Sequence, residues 1–301
     1  MLGAPRSGTT FLMSALGGLP SAECVSGNLL PVGIAHLAAQ DLSEEVRDAL
    51  ERSFRVGLED YLTTSLYHAR SAALRKWWAA SRHVATLAPA IQGKRVERML
   101  IYKEPFLAFA PDYAYRALPD ARLLYLFRDG RDVADSLVRT YNVLTDEKLT
   151  DLESDEVHLG RRLGDGYVPW WVSEHDGAAF LAASPYLRAV WMWREMVRRC
   201  GEFFDRPDVR SSGRVLCVRY EDLIRDPLTH GQAIVEHLGL QLTPAMRRQL
   251  GGAHPRSIGI HRRRDQAELV QAERLAGAEL GALGYPLLTQ TNAHEGEPTP
   301  Q

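Results

Sequence analysis

A chain that opens Gly3-Ala4-Pro5-Arg6-Ser7-Gly8-Thr9-Thr10-Phe11-Leu12 has little freedom in how it begins to fold. The glycines permit a tight turn, TTFLMSAL behind them has helical spacing, and Gly17-Gly18 with Pro20 stop that helix. The segment predicts a strand, a loop and a helix. Met1 to Pro5 is then the end of a strand; such strands usually run several apolar residues longer, so native residues are expected upstream of Met1. The direct entry from Met1 into the loop leaves an expectation of no signal peptide.

Three later apolar runs suit buried parallel strands: Arg98 to Tyr102, Ala121 to Phe127 and Gly213 to Val218. Helical patterns lie between them. Strands alternating with helices predict an α/β fold, a three-layer P-loop-like parallel sheet flanked by helices, with ligands collecting at the carboxyl ends of the strands. Chemistry-bearing residues do follow each run: Gly3 to Thr10, Lys103-Glu104-Pro105, Arg128-Asp129-Gly130-Arg131-Asp132 and Tyr220-Glu221-Asp222. A single domain is expected over 1–288. Leu37, Leu42, Val46, Leu50, Phe54, Leu58 and Leu62 recur at helical intervals and predict a helical insertion over about 30–95, forming a substrate cap. The polar stretch over about 145–184, rich in Gly and Asp and carrying Trp170-Trp171, predicts an irregular lid, and the polar tail 289–301 is expected to be disordered.

Composition limits the partners. With 301 residues, 45% hydrophobic, the chain can bury one large core or two modest ones. A formal charge of −2 gives no global pull on nucleic acid or an anionic membrane, so any anion site must be a local cluster of Arg, Lys and backbone N–H groups. No long uncharged apolar run argues for membrane insertion. Cys24, Cys200 and Cys217 are odd in number and lack metal-ligand spacing, which predicts no metal and a reducing, cytoplasmic setting.

A glycine loop running into a helix presents unpaired N–H groups and a positive dipole end to an anion, and Ser7, Thr9 and Thr10 add hydroxyls. A Walker loop also needs a lysine for the β- and γ-phosphates; Thr9 holds that position here, and the positive charge sits earlier, at Arg6. A triphosphate would be poorly neutralised. A donor whose 5′-phosphate is joined to a sulfuryl group suits the loop better and needs no metal. The loop alone also fits a plain strand–turn–helix packing. In the second element, LLYLFRDGRDVADSLV, Arg128 stands at a strand end and Ser136 two turns into the next helix, on the face of Asp129, Asp132 and Val133. Arg128 can fork onto a phosphate to which Ser136 also donates, or it can pair with Asp129 or Asp132 at the helix start.

Taken together, PRSGTT, RDGRDVADS, VRYEDLIRDP (Val218 to Pro227) and ERLAGAELGALGY (Glu273 to Tyr285) resemble a sulfotransferase that uses 3′-phosphoadenosine 5′-phosphosulfate, PAPS. The motif style is nearest to the tyrosylprotein-type, PRSGTT branch. The resemblance implies that Ser7, Gly8, Thr9 and Thr10 hold the 5′-phosphate with Arg6 near the phosphosulfate bridge, and that Arg128 and Ser136 hold the 3′-phosphate. It puts Tyr220 in the nucleotide pocket, where packing alone is an equal reading. SIGIHRRR lies where the family has a basic loop over the 3′-phosphate, making His261, Arg262 and Arg263 candidates beside the reading of a solvated basic turn. PAPS is then the co-substrate and adenosine 3′,5′-bisphosphate (PAP) the product.

Sulfuryl transfer needs cations at the bridge and an in-line acceptor oxygen. Arg6 is one cation. The other is Lys103 in YKEPF, which resembles a KDPF-like segment of the family. A general base is also expected, and where the resembled branch often has a glutamate in a Gly-Glu step this chain has Gly27-Asn28. An amide takes no proton. Glu104 is the first alternative, although neighbours in a strand point to opposite sides; His36 is the second, against a packed helix histidine; the third is an acidic acceptor merely oriented by Asn28. Trp77-Trp78 and Trp170-Trp171 offer flat surfaces for a sugar or aromatic ring, while Trp191 and Trp193 read as core. The expected acceptor is a small molecule, glycan or lipid-like metabolite. A P-loop kinase or NTPase, opposed by the missing lysine, and a non-catalytic nucleotide-binding module, favoured by Asn28, are the rivals.

Overall fold

The computed structural model describes residues 1–19, 22–26, 32–63, 99–154 and 159–288. Strands in chain order are β1 (Ala22–Ser26), β2 (Met99–Lys103), β3 (Leu123–Phe127), β4 (Gly160–Leu163), β5 (Gly166–Pro169) and β6 (Val215–Arg219). Helices are α1 (Thr9–Leu16), α2 (Val32–Ala38), α3 (Glu44–Thr63), α4 (Pro111–Ala117), α5 (Gly130–Tyr141), α6 (Asp146–Ser154), α7 (Gly177–Ala182), α8 (Pro185–Phe204), α9 (Pro207–Ser211), α10 (Tyr220–Arg225), α11 (Pro227–His237), α12 (Pro244–Leu250) and α13 (Gln266–Ala282). Asn28, Trp77 and Trp78, the second half of the expected cap, and the tail lie outside the described residues.

Strand β1 pairs with β2 and β3 with β6, both parallel. The opening residues join the two pairs. Leu2 bridges parallel to Tyr125, with its N–H on the Leu124 carbonyl (2.8 Å) and its own carbonyl accepting from Leu126 (3.0 Å), while the Met1 amine donates to the Tyr102 carbonyl at 2.7 Å. The loop that follows Leu2 therefore leaves the middle of the arrangement. The three runs expected as strands are found as β2, β3 and β6; β1, whose sequence AECVS carries little apolar signal, was not legible.

Side chains of β3 alternate between two cores, as the period of a strand requires. Leu124 and Leu126 pack with Leu12 and Leu16 of α1, Ile234 of α11 and Met246 of α12. Leu123 and Tyr125 face the larger cluster with Val133 of α5, Trp193 and Phe204 of α8 and Ala272 of α13. Helices thus cover both faces. Three of them start alike, with a capping oxygen followed by proline: Ser184 before α8, Asp226 before α11 and Thr243 before α12. Between α5 and α8 the fit is close enough that a Cβ on Gly130 would meet the Trp193 ring at 2.3 Å, and the Trp193 indole donates to the Arg128 carbonyl at 3.1 Å.

The expected irregular lid is regular. Helix α6, the antiparallel β4–β5 hairpin and α7 occupy it, and Tyr167, Val168, Trp171, Val172 and Phe180 are buried. Its polar composition reflects outward faces and turns. Trp171 stacks on Phe109 (5.8 Å) and meets Phe180 edge-on, so it is core rather than a flat surface for a ligand. Arg188 of α8, buried, donates to the Phe180, Leu181 and Leu144 carbonyls and pairs with Asp146, tying this block to α8.

Candidate active site

Loop 3–8 turns on three residues in the left-handed region: Gly3 (φ 145°), Arg6 (φ 71°) and Gly8 (φ 91°). Arg6 is the costly one, because an L side chain rarely adopts that conformation. At Gly8 a Cβ would lie 2.3 Å from the Tyr220 ring, so glycine is required by space as well as by φ. Leu12 is the first residue to bond within α1, donating to the Gly8 carbonyl at 3.0 Å. The amides of Gly8, Thr9, Thr10 and Phe11 are thereby left outside the helical ladder at its positive end. Ser7 is fully buried, and its hydroxyl is without a hydrogen-bond partner. An unpaired buried hydroxyl costs free energy, and an anion seated on these amides would supply its acceptor.

A lysine does reach the loop from another strand. Lys103 ends β2 and donates to the Thr10 hydroxyl at 3.1 Å. Burial lowers its pKa, against the pull of neighbouring Glu104. Arg6 turns the other way, donating from Nε to Ser136 at 3.0 Å and from its guanidinium to the Tyr141 hydroxyl at 3.3 Å. Tyr141, 56% exposed, was not foreseen; its signal is only that it lies beyond Ser136 on α5.

Helix α5 starts at Asp129, whose carboxylate accepts from the Arg131 amide and pairs with the buried Arg131 guanidinium, which also binds Glu273 at 2.5 Å. Arg128, buried, donates to the Arg6 carbonyl (3.0 Å) and the Ser257 carbonyl, with Tyr220 beneath its guanidinium at 4.7 Å. Only its Nε lacks a partner. Both readings of Arg128 thus have a footing: Asp132 is 3.6 Å away, and one donor remains unpaired. Tyr220 contributes its ring to Gly8 and its hydroxyl to Ser257 at 2.8 Å. His261 is buried with Nδ1 2.6 Å from Asp132, so the histidine is engaged by the helix rather than left open to a ligand. Arg262 and Arg263 are exposed, and the neighbouring Arg264 is held by Asp135 and Glu268.

The base candidates separate. Glu104 is buried and caps the turn Pro105–Phe109 by accepting from the Phe106 amide at 3.0 Å; burial raises its pKa, offset in part by that amide and by Lys103. Its side chain serves the chain, while Lys103 next to it serves the loop, as strand alternation requires. His36 lies on α2, with Nδ1 3.1 Å from Gln40 and its ring 4.9 Å from that of Trp170. Burial lowers its pKa, which leaves it neutral near pH 7. Trp170 is also packed on Phe109. Among the described residues no group of three His, Cys, Asp or Glu side chains is placed to hold a metal, and no helix is long and apolar enough to cross a membrane.

The model of the sulfotransferase family matches residues 1–244. No curated protein matches the chain significantly. Among solved structures, the chain is similar to the sulfotransferase domain of the Synechococcus PCC 7002 olefin synthase, at 22% identity and a TM-score of 0.51, covering 95% of this chain and 94% of that one. A sulfotransferase domain from the curacin biosynthetic pathway aligns at 18% identity and TM-score 0.49 over 95% and 96% of the two chains. Sulfotransferase STF9 from Mycobacterium avium aligns at 14% and 0.45 over 95% and 77%. At such identities the first of these likenesses shows a shared fold and no more.

Proposed function

The chain belongs to the sulfotransferase family, and from that premise we propose that it transfers a sulfuryl group from PAPS to a hydroxyl of a small-molecule or glycan acceptor. The observation that carries the donor assignment is the junction of the two anion-binding elements. Arg6 of the loop donates to Ser136 of α5, and Arg128 donates back to the Arg6 carbonyl, each at 3.0 Å. Two sets of phosphate donors in contact at one end of a sheet suit a nucleotide with two separate anionic ends.

In this reading the amides from Gly8 to Phe11 and the Ser7 hydroxyl take the 5′-phosphate, while Arg128 Nε and Ser136 take the 3′-phosphate. Lys103, on Thr10, flanks the bridge, and Arg6 joins it there by turning from Ser136 when the donor binds. The acceptor oxygen forms a bond to sulfur as the bond from sulfur to the bridging oxygen breaks, the electron pair leaves on the 5′-phosphate, and the acceptor proton goes to a base. Lys103 and Arg6 offset the charge that grows on the leaving oxygen. Glu104 and His36 remain the described candidates for the proton. Glu104→Gln and His36→Ala each have a pH–rate profile to compare with the wild type, and the base is the one whose loss removes the limb set by its own ionisation.

Thermal unfolding tests the donor. At a hundred times its dissociation constant a ligand that binds only the folded chain stabilises it by about 2.7 kcal/mol. Adenosine 3′,5′-bisphosphate is expected to raise the melting temperature without metal, and ATP with Mg²⁺ is not. The reverse pattern would replace sulfuryl transfer from PAPS with a nucleoside triphosphate reaction.

A further inference from the structure

Arg128, Asp132 and Ser136 stand four residues apart, Asp132 and Ser136 on one stripe of α5 and Arg128 just ahead of its cap, Asp129. A carboxylate between two residues assigned to a phosphate is anomalous, because it repels that ligand unless its charge is already engaged. Here it is engaged. Asp132 is fully buried and accepts from the Gly259 amide at 2.7 Å, the His261 amide at 3.0 Å and His261 Nδ1 at 2.6 Å. An ionised carboxylate only accepts, so Nδ1 carries the proton. Burial pushes the Asp132 carboxyl upward, but the His261 ring and the two amides outweigh it and hold it below the usual range.

The segment seized by Asp132 is the one lying on Arg128. Ser257 gives Arg128 its carbonyl and gives Tyr220 its hydroxyl, and Tyr220 in turn packs under Arg128 and against Gly8. Arg128 is thus clamped by Arg6, Ser257 and Tyr220, which fixes the direction of its one unpartnered donor, Nε. A donor already aimed binds without the entropy cost of ordering a free arginine.

We propose that Asp132 is a positioning residue which, by latching segment 257–261 over Arg128, sets the preference of the site for a nucleotide carrying a 3′-phosphate over one lacking it. The inference rests on the donor reading above. It concerns the 3′ end of the ligand first: the latch reaches the loop 3–10 only at second hand, through Arg128 on the Arg6 carbonyl and Tyr220 against Gly8.

The test is titration of the full chain, wild type and Asp132→Asn, with adenosine 3′,5′-bisphosphate and with adenosine 5′-monophosphate. Loss of one hydrogen-bonded charge is worth roughly tenfold to a hundredfold in affinity. Asp132→Asn is expected to lose about that much for the bisphosphate and less than about threefold for the monophosphate. His261→Ala, which removes the ring donor but keeps the amide, is expected to lose about three- to tenfold in the same selective way, and it carries the test if the Asn variant does not fold. Equal losses for both nucleotides, or none for either, would reduce Asp132 to a stabilising residue and overturn the latch. A wild type that does not prefer the bisphosphate would overturn the donor reading and the latch with it, whereas a preference that survives both substitutions overturns the latch alone.

Discussion

Lys103 shows how much one residue carries and how little of that its neighbourhood in sequence reveals. The end of a buried apolar run marks it as facing the ligand side of the sheet, and that much is legible in YKEPF. Its partner is Thr10, whose hydroxyl lies 93 positions away in the chain, so the approach of a strand-end lysine to the loop appears only in three dimensions. If Lys103 acts on the leaving oxygen, it is worth most where charge develops. Lys103→Ala is expected to lower kcat by about 10²–10³-fold, the cost of removing one preorganised charge donor, with bisphosphate affinity changed by less than about threefold. Steady-state kinetics beside titration checks this, and equal losses in turnover and affinity would make Lys103 a binding residue. The same contrast separates Arg128 from Asp132. RDGRDVADS announces a helix start with an arginine and a serine on one face, but the pairing of Asp132 with His261 spans 129 positions, and no local pattern points to it.

At the scale of elements, legibility follows apolar periodicity. Strands β2 and β3 and helices α5 and α8 are readable because each buries a regular apolar face, whereas β1, with Glu23, Cys24 and Ser26, is chosen by pairing with β2 instead of by its own pattern. Block 144–183 misleads for the opposite reason: it is polar outside, and its order comes from a few inward aromatic and aliphatic side chains and from a buried guanidinium. Arg188 satisfies the carbonyls of Leu144, Phe180 and Leu181 at 2.5–3.0 Å, and Leu144 itself is held in the left-handed region at φ 60°. Arg188→Met keeps the bulk and removes the donors, leaving buried carbonyls unpaired. The expected cost is about 2–4 kcal/mol, confined first to this block. Hydrogen exchange should show protection falling across 144–183 while β3 and α8 keep theirs; a uniform fall would mean that the block unfolds only with the whole.

For the whole molecule, the site is assembled from chain segments that meet only in the finished fold: 1–10, 103, 128–141, 220–221 and 255–285. Two buried carboxylates bind these segments together and respond to acid in opposite directions. Asp132 ties α5 to 259–261, and its pKa is held below the ordinary 3.8 by His261 and the backbone amides, which outweigh the opposing effect of burial. Its stabilisation is therefore fully present above 3.8 and lost as pH falls through the lowered value. Glu221 of α10 accepts from the Asp129 amide and from the Tyr285 hydroxyl, joining α10 to the start of α5 and to Tyr285 beyond α13. Burial raises its pKa above 4.5, so its contribution is present below 4.5 and lost as pH rises through the raised value. Urea unfolding of the wild type, Asp132→Asn and Glu221→Gln between pH 3 and 7 separates the two. The advantage of the wild type over Asp132→Asn should grow as pH rises, and its advantage over Glu221→Gln should shrink. Lost hydrogen bonds set the offset of each curve, whereas ionisation alone sets its slope, so the two signs hold whatever the absolute cost of either substitution. Parallel slopes would mean that the two carboxylates share one environment, which their separate partners exclude.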